Sequence, residues 1–516
     1  MGIIEDIQQT IGKIVKEEDS NIKQIVLTFL SAFTNNPQNT RILAPSSEGK
    51  TYLVTKIASL FPEEYIIPLA QTTPKGIRYC LISGKIIENG NDNWQDYDTA
   101  INPLEEELGK TKDKEKQQEL KNQIKQLRES ACDKIDFTNK ILVFLDSQSF
   151  EAFEDLKPVL SHDLKHLKSF SVNKSKSGSL EAKKILSINF PAVIYCSAKD
   201  EHQQDKTNEI NTRFNSISLN TSSKKYRKML EFEAIHSGLP DSIFQDEVLC
   251  EEEIEELKQK IYDLIEEIKG NSETLNPFTL GISNLLPSDG GYRTRQLKIL
   301  NNNIKMCTLV NHDVRPKIII DSIKIPIVTR VDIEEACKLT KEPREIQPYK
   351  IKIFNESIRP IIIQHGRDES ILNGNIKCLT ASEILEHLDK SIIGRQKLQE
   401  TILKPLVDQG FLEESIDPSN KSRYIYYLPQ RYQNKEAVLE STLIDVSLLD
   451  ESCLNLFIDK YIKQRFDNRE LTIEDKNEIP INPEELIVIL KNRHSPVQNS
   501  HKLDSNETSK DIEVMS

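Results

Sequence analysis

One octapeptide constrains this chain more than any other stretch. Ala44-Pro45-Ser46-Ser47-Glu48-Gly49-Lys50-Thr51 follows the run Arg41-Ile42-Leu43 and opens onto Tyr52-Leu53-Val54-Thr55-Lys56-Ile57-Ala58. It fits G-x-x-x-x-G-K-[ST] except at the first glycine, where alanine stands, and its flanks read as the strand and helix that the motif requires. Successive backbone N–H groups and a helix N-terminus make such a loop a concave anion site. The spacing predicts that Ser46, Ser47, Glu48, Gly49, Lys50 and Thr51 cradle ATP. Lys50 would reach the β- and γ-phosphates, and the Thr51 hydroxyl would ligate Mg²⁺.

Two later runs restrict the fold further. Lys140-Ile141-Leu142-Val143-Phe144-Leu145-Asp146 and Phe190-Pro191-Ala192-Val193-Ile194-Tyr195-Cys196-Ser197 are apolar almost throughout and end in polar groups. Continuous apolar runs suit strands of a parallel sheet covered on both faces. Loop-plus-helix, strand ending in Asp, strand ending in Ser is an α/β order, with its site at the strand C-termini. The expected class is an α/β P-loop NTPase with a parallel sheet.

Each strand end offers a candidate. Asp146 is placed to hold Mg²⁺, or it simply ends a strand. Ser147 follows it, where helicase-type ATPases carry the glutamate that positions the attacking water; Glu151, Glu154 or Asp155 could substitute. Ser197 could hold that water or the γ-phosphate. Arg213, in Glu209-Ile210-Asn211-Thr212-Arg213-Phe214, reads either as a finger reaching a neighbouring subunit's γ-phosphate or as an ordinary surface arginine. Arg293 and Arg295 open a helical segment after the Pro287–Gly291 turn and could sense nucleotide from a lid.

Composition sets outer limits. At 516 residues the chain has room for about three domains. No run of 18 apolar residues occurs, which argues against a membrane span. The N-terminus has neither a basic nor an apolar leader segment. Eight cysteines, none in a C-x-x-C pair, argue against zinc and suit a reducing compartment, so a cytoplasmic location is expected. The net charge of −13 decides little about nucleic acid, because binding depends on where cations cluster. Residues 161–190 carry six lysines against Asp163 and Glu181.

The chain divides as follows. Residues 1–38 read as a helical lead-in, 39–220 as the ATPase core and 221–320 as a helical lid. Within the core a polar segment at about 87–140 carries Leu120, Ile124, Leu127 and Ala131 at helical spacing, which predicts an inserted αα-hairpin or short coiled coil. It would serve either as a solvated spacer or as a partner-binding arm. Residues 321–378 connect to a unit at 379–430. That unit begins with the capping pattern Thr380-Ala381-Ser382-Glu383 and ends in two β-like runs around Asp417–Asn420, a winged-helix layout. Its Arg395, Lys397 and Arg423 are candidate DNA contacts, although the weak basic balance equally suits a protein contact. Residues 431–491 read as helical, and 492–516 as a polar, disordered tail.

Taken in order, these residues resemble a family. Arg41–Pro62, Thr73-Pro74-Lys75-Gly76, Lys140–Asp146, Leu156–Leu160, Phe190–Ser197, Glu209–Phe214 and Arg293-Thr294-Arg295 look like the ATPase module of phage and mobile-element primase–helicase proteins. The resemblance covers about residues 39–315. It implies an AAA+-like fold, assembly into a homo-oligomeric ring and ATP-driven work on DNA as a helicase or replication initiator. It also implies that Ser169–Leu180 forms a β-hairpin projecting into the ring channel. Alternation followed by a Lys/Ser/Gly turn supports the hairpin independently, and Lys174 and Lys176 near its tip could contact phosphates. Three features depart from the pattern: Ala44, Ser147, and the lack of a zinc-binding primase domain. The first two favour an alternative, a nucleotide-gated DNA-binding or regulatory protein with little or no hydrolysis.

Overall fold

The computed structural model describes residues 2–44, 47–70, 74–88, 94–146, 148, 150–174, 180–197, 213–220, 223–240, 251–286, 292–340, 350, 353–371, 374–388, 394–408, 411–418, 420–429, 444, 446–476 and 478–492. They fall into two compact units. The first comprises Met1–Leu30, Thr40–Phe61 and Ser197–Ser516; the second comprises Ser31–Asn39 and Pro62–Cys196.

In chain order the first strands are β1 (Asn39–Leu43), β2 (Ile66–Leu69), β3 (Gly84–Glu88), β4 (Trp94–Asp96), β5 (Ala131–Asp136) and β6 (Ile141–Phe144). They continue with β7 (His166–Lys174), β8 (Leu180–Ile188), β9 (Ala192–Ser197) and β10 (Asn215–Ser218). The helices among them are α1 (Ile3–Gly12), α2 (Asp19–Ser31), α3 (Lys50–Ala58), α4 (Pro74–Leu81), α5 (Tyr97–Lys110), α6 (Lys114–Ser130) and α7 (Phe150–Leu160), followed by α8 (Ser223–Gly238).

A five-stranded parallel sheet runs in the order β10-β1-β9-β6-β2. Every residue of β1, β6 and β9 is buried, as their unbroken apolar character requires. This agrees with the α/β parallel-sheet class expected from the sequence.

In the first unit, β1 pairs with β10 so that Thr40 faces Asn215 and Leu43 faces Ser218. α2 supplies buried Ile22, Ile25, Val26 and Phe29 to the core. Further along, Lys317–Ile320 and Ile323–Pro326 form a hairpin, β11 and β12, and β11 pairs with β17 (Thr472–Asp475). β17 in turn pairs with β18 (Ile479–Pro480). The 431–491 segment is therefore not wholly helical, and the short alternation in Thr472-Ile473-Glu474 is what the helical expectation overlooked. Arg315 and Asp332 make a buried, bidentate ion pair, with Nη2 to Oδ1 at 2.8 Å.

Another four-stranded sheet of this unit runs β13 (Arg367–Ile371), β14 (Gly374–Thr380), β16 (Asn420–Tyr427), β15 (Glu413–Asp417). Helix Ala381–His387 starts on the expected capping box. The Glu383 carboxylate accepts from Thr380 N at 2.7 Å, and Thr380 Oγ1 accepts from Glu383 N at 3.4 Å. The next helix begins at Arg395–Leu398, passes through a π-helical stretch at Gln399–Leu403 and ends at Lys404–Asp408. Ile384, Leu398, Ile402, Leu403, Leu406 and Tyr426 are buried together beneath these elements.

In the second unit β2, β6 and β9 pair in parallel, and a second sheet runs β4-β3-β5-β8-β7. The expected hairpin is present: β7 and β8 are antiparallel from His166↔Ile188 to Lys174↔Leu180. Its tip, with Lys176, lies outside the described residues. Within the 87–140 segment α5 and α6 form the αα-hairpin, with β4 before them and β5 after. α5 and α6 are bridged by Arg128–Glu105 and Lys116–Glu107. Leu120 and Ile124 are buried as the stripe predicted, whereas Ala131 leaves the helix and opens β5. The 492–516 tail, apart from Asn492, is outside the described residues.

Candidate phosphate-binding loop and hairpin face

The loop after β1 is built to present a helix N-terminus. Gly49 caps α3 with φ +83° and ψ 17°, a left-handed conformation that residues with a Cβ resist. Ser47 is also left-handed, at φ 69°. Such reversals turn successive N–H groups toward one side, the geometry of an anion nest. Lys50 opens α3 with its side chain buried, and its ammonium donates to the Ala44 carbonyl at 2.7 Å. A lysine folded back onto the first residue of its own loop is held within the loop. Thr51 stands exposed in the first turn. Pro45 and Ser46 are outside the described residues.

Ser197 and Arg41 complete the loop's base. Ser197 is buried at the end of β9, and its carbonyl accepts from Ala44 N at 3.5 Å. Its hydroxyl accepts from Arg41 Nη2 at 3.4 Å. Ser197 thus stands beside the first loop residue, with its hydroxyl turned to Arg41. The buried Arg41 was not foreseen, and an arginine inside a predicted strand was the signal for it.

Glu48 carries the loop's own negative charge. Its Oε1 accepts from the Tyr226 hydroxyl of α8 at 2.8 Å. Burial, together with the Glu48 carboxylate, pushes the Tyr226 hydroxyl well above its usual range. The first turn of α8 is fixed in place. Lys225 pairs with Glu18 at 2.7 Å, both side chains being almost wholly buried, while Lys224 and Lys228 both pair with Glu17. Beside Gly49 opens a cavity of about 680 Å³, walled by Val15, Leu53, Met229 and Phe232 with Tyr52 and His236 at its margin.

The other expected residues are distributed more widely. Arg213 is half-buried just before β10. Because β10 runs parallel to β1, that is the opposite end of the strand pair from the loop, about 20 Å along the strands. Arg295 is exposed in the first turn of helix Tyr292–Val310. Arg395 and Lys397 are exposed where their helix starts, and Arg423 is exposed on β16.

In the second unit, Asp146 is exposed two residues beyond the end of β6. Gln148, the next described residue, is buried, and its amide donates to the Ala70 and Asp146 carbonyls at 3.1 and 2.9 Å. Lys174 ends β7. The pairing register places Trp94, Lys134, Lys168, Phe170, Lys184 and Leu186 on one face of the five-stranded sheet. Lys168 Nζ lies 5.0 Å from the Trp94 ring centroid although β4 and β7 are the two edge strands. Four strand spacings would separate them by about 19 Å in a flat sheet, so the sheet curls with this face inside. Ile86, Cys132 and Leu186 are buried in the curl. Beyond it the face is open, with Phe170 66% exposed opposite the exposed Lys184. Phe170 was missed because its cationic neighbour comes from the opposite strand.

Among the described residues no helix is long and apolar enough to cross a membrane. The chain matches no protein-family model and no curated protein.

Proposed function

We propose that this chain binds ATP at residues 44–51 and works on DNA as an AAA+-like ATPase, a helicase or replication initiator. The observation that carries the reading is the loop itself. It follows a buried parallel strand, reverses through two left-handed residues and delivers a buried lysine at the first position of a helix. The adjoining cavity is in the size range of small-molecule sites and mostly apolar, which suits the base of the nucleotide. Mg²⁺ would be held by the Thr51 hydroxyl and would neutralise phosphate charge. Arg213 lies too far along its strand to serve its own loop, so the reading gives it a role at another copy's loop, in a homo-oligomeric ring.

For DNA, support comes from two places. The open hairpin face offers an aromatic ring among lysines, the combination that holds single strands by stacking and charge. The elements from Phe354 to Tyr427 follow helix, hairpin, two helices, hairpin, with β14 paired to β16, and the stretch from β14 onward suits a winged helix. Phosphate release measured with no DNA, single strands and duplex tests the reading, with the oligomeric state followed alongside. DNA should raise the rate in the wild type and not in Lys50→Ala; equal stimulated rates in both overturn it.

One observation favours the slower alternative, nucleotide-gated DNA binding. The residue after Asp146 is Ser147, where helicase-type ATPases carry an acid, and the next, Gln148, is an amide tied to main-chain carbonyls. Tight ATP binding without steady-state release is its signature, and fast release excludes it.

A further inference from the structure

The carboxylate of Glu48 is an oddity in a loop meant for phosphate. It adjoins Gly49 and Lys50, so a free Glu48 could turn inward and satisfy the same N–H groups and ammonium that a phosphate would use. It would also repel any phosphate already there. In the structure its Oε1 is instead held by the Tyr226 hydroxyl at 2.8 Å. Tyr226 is a fixed donor rather than a wandering one. The residue before it, Lys225, is locked to Glu18 in a buried pair at 2.7 Å, and Glu18 Oε1 also accepts from Asn220 N at 2.8 Å. Lys224 and Lys228 hold the same turn to Glu17. The hydroxyl stays protonated, since burial and the carboxylate both oppose its ionisation.

We propose that Tyr226 is a positioning residue that keeps the Glu48 carboxylate out of the phosphate loop and thereby sets the loop's affinity for polyphosphate. The inference rests on reading residues 44–51 as a nucleotide site. It makes α8 the element that controls access to the loop: displacing α8 releases Glu48 as an internal competitor for the phosphate position.

The test is Mg·ATP binding by calorimetry on the full chain, for wild type, Tyr226→Phe, Glu48→Gln, the double variant and Lys50→Ala, at low and high salt. Tyr226→Phe should bind roughly tenfold more weakly, the scale of one hydrogen bond to a charged group, and less so at high salt, where the repulsion is screened. The double variant should regain wild-type affinity, because an amide in place of the carboxylate no longer needs restraint. A Tyr226→Phe affinity equal to wild type overturns the proposal. So does a defect that persists undiminished in the Glu48→Gln background, which would mark Tyr226 as merely structural. If wild type binds ATP and Lys50→Ala does not, either of these results removes the positioning role alone. If wild type binds no ATP, the nucleotide reading falls, and the proposal falls with it.

Discussion

The candidate phosphate loop at residues 44–51 and the β7–β8 hairpin face assemble chemistry in opposite ways. The loop's groups are neighbours in sequence: Ser47, Gly49 and Lys50 are placed by a few dihedral angles and one helix start. The hairpin face gathers Trp94, Lys168, Phe170 and Lys184 from three strands, and only the pairing register brings them to one side. A contiguous motif survives wherever its flanking strand and helix form. A register-built face depends on every strand between its members, because a one-residue slip sends each side chain to the other side.

Ways to break this contrast begin with the loop's anchor. Glu18→Ala leaves Lys225 buried and uncompensated, and should cost about 3–5 kcal/mol of stability in denaturant unfolding. An unchanged midpoint would mean that α8 is not anchored through this pair. On the hairpin, Phe170→Ala should weaken single-stranded DNA binding about tenfold, within the range of one lost stacking contact. ATP affinity should stay at the wild-type value, and an equal loss of both would dissolve the distinction between the two regions. Lys184→Ala should act more gently, lowering the salt slope of single-strand binding by about 0.7 for one phosphate contact; an unaltered slope places Lys184 outside the DNA path.

The smallest effect concerns acid stability. Hydrogen bonds from Lys228 and Lys224 hold the Glu17 carboxyl below its usual 4.5. A carboxyl depressed in the fold stabilises it fully above that value and progressively less as pH falls below it. Glu17→Gln should flatten that acid limb of the stability profile, and an identical limb in both proteins contradicts the clamp.

The same contrast explains what was legible in the sequence. The parallel strands, the α3 start and the Thr380–Glu383 capping box were readable because each is written within a few residues. The β7–β8 hairpin was readable for the same reason, from alternation and a Lys/Ser/Gly turn. Phe170 opposite Lys184, Tyr226 on Glu48 and β17 beside β11 were not, since each joins residues far apart in the chain. Ala131 shows the limit of periodicity: a stripe of helical spacing runs one position past the helix and into a strand. Arg213 was identified as a candidate, but its distance from its own loop followed only from the parallel register of β1 and β10.

The central claim is that the buried Lys50 makes residues 44–51 a nucleotide site. Titration of Mg·ATP into wild type and Lys50→Ala tests it most directly, with thermal unfolding used to verify that both are folded. Saturable binding by the wild type, weakened about 100-fold in the variant, is the predicted result, the scale of losing charge-assisted contacts to phosphate. Equal affinity in two folded proteins, or no binding by either, would contradict it.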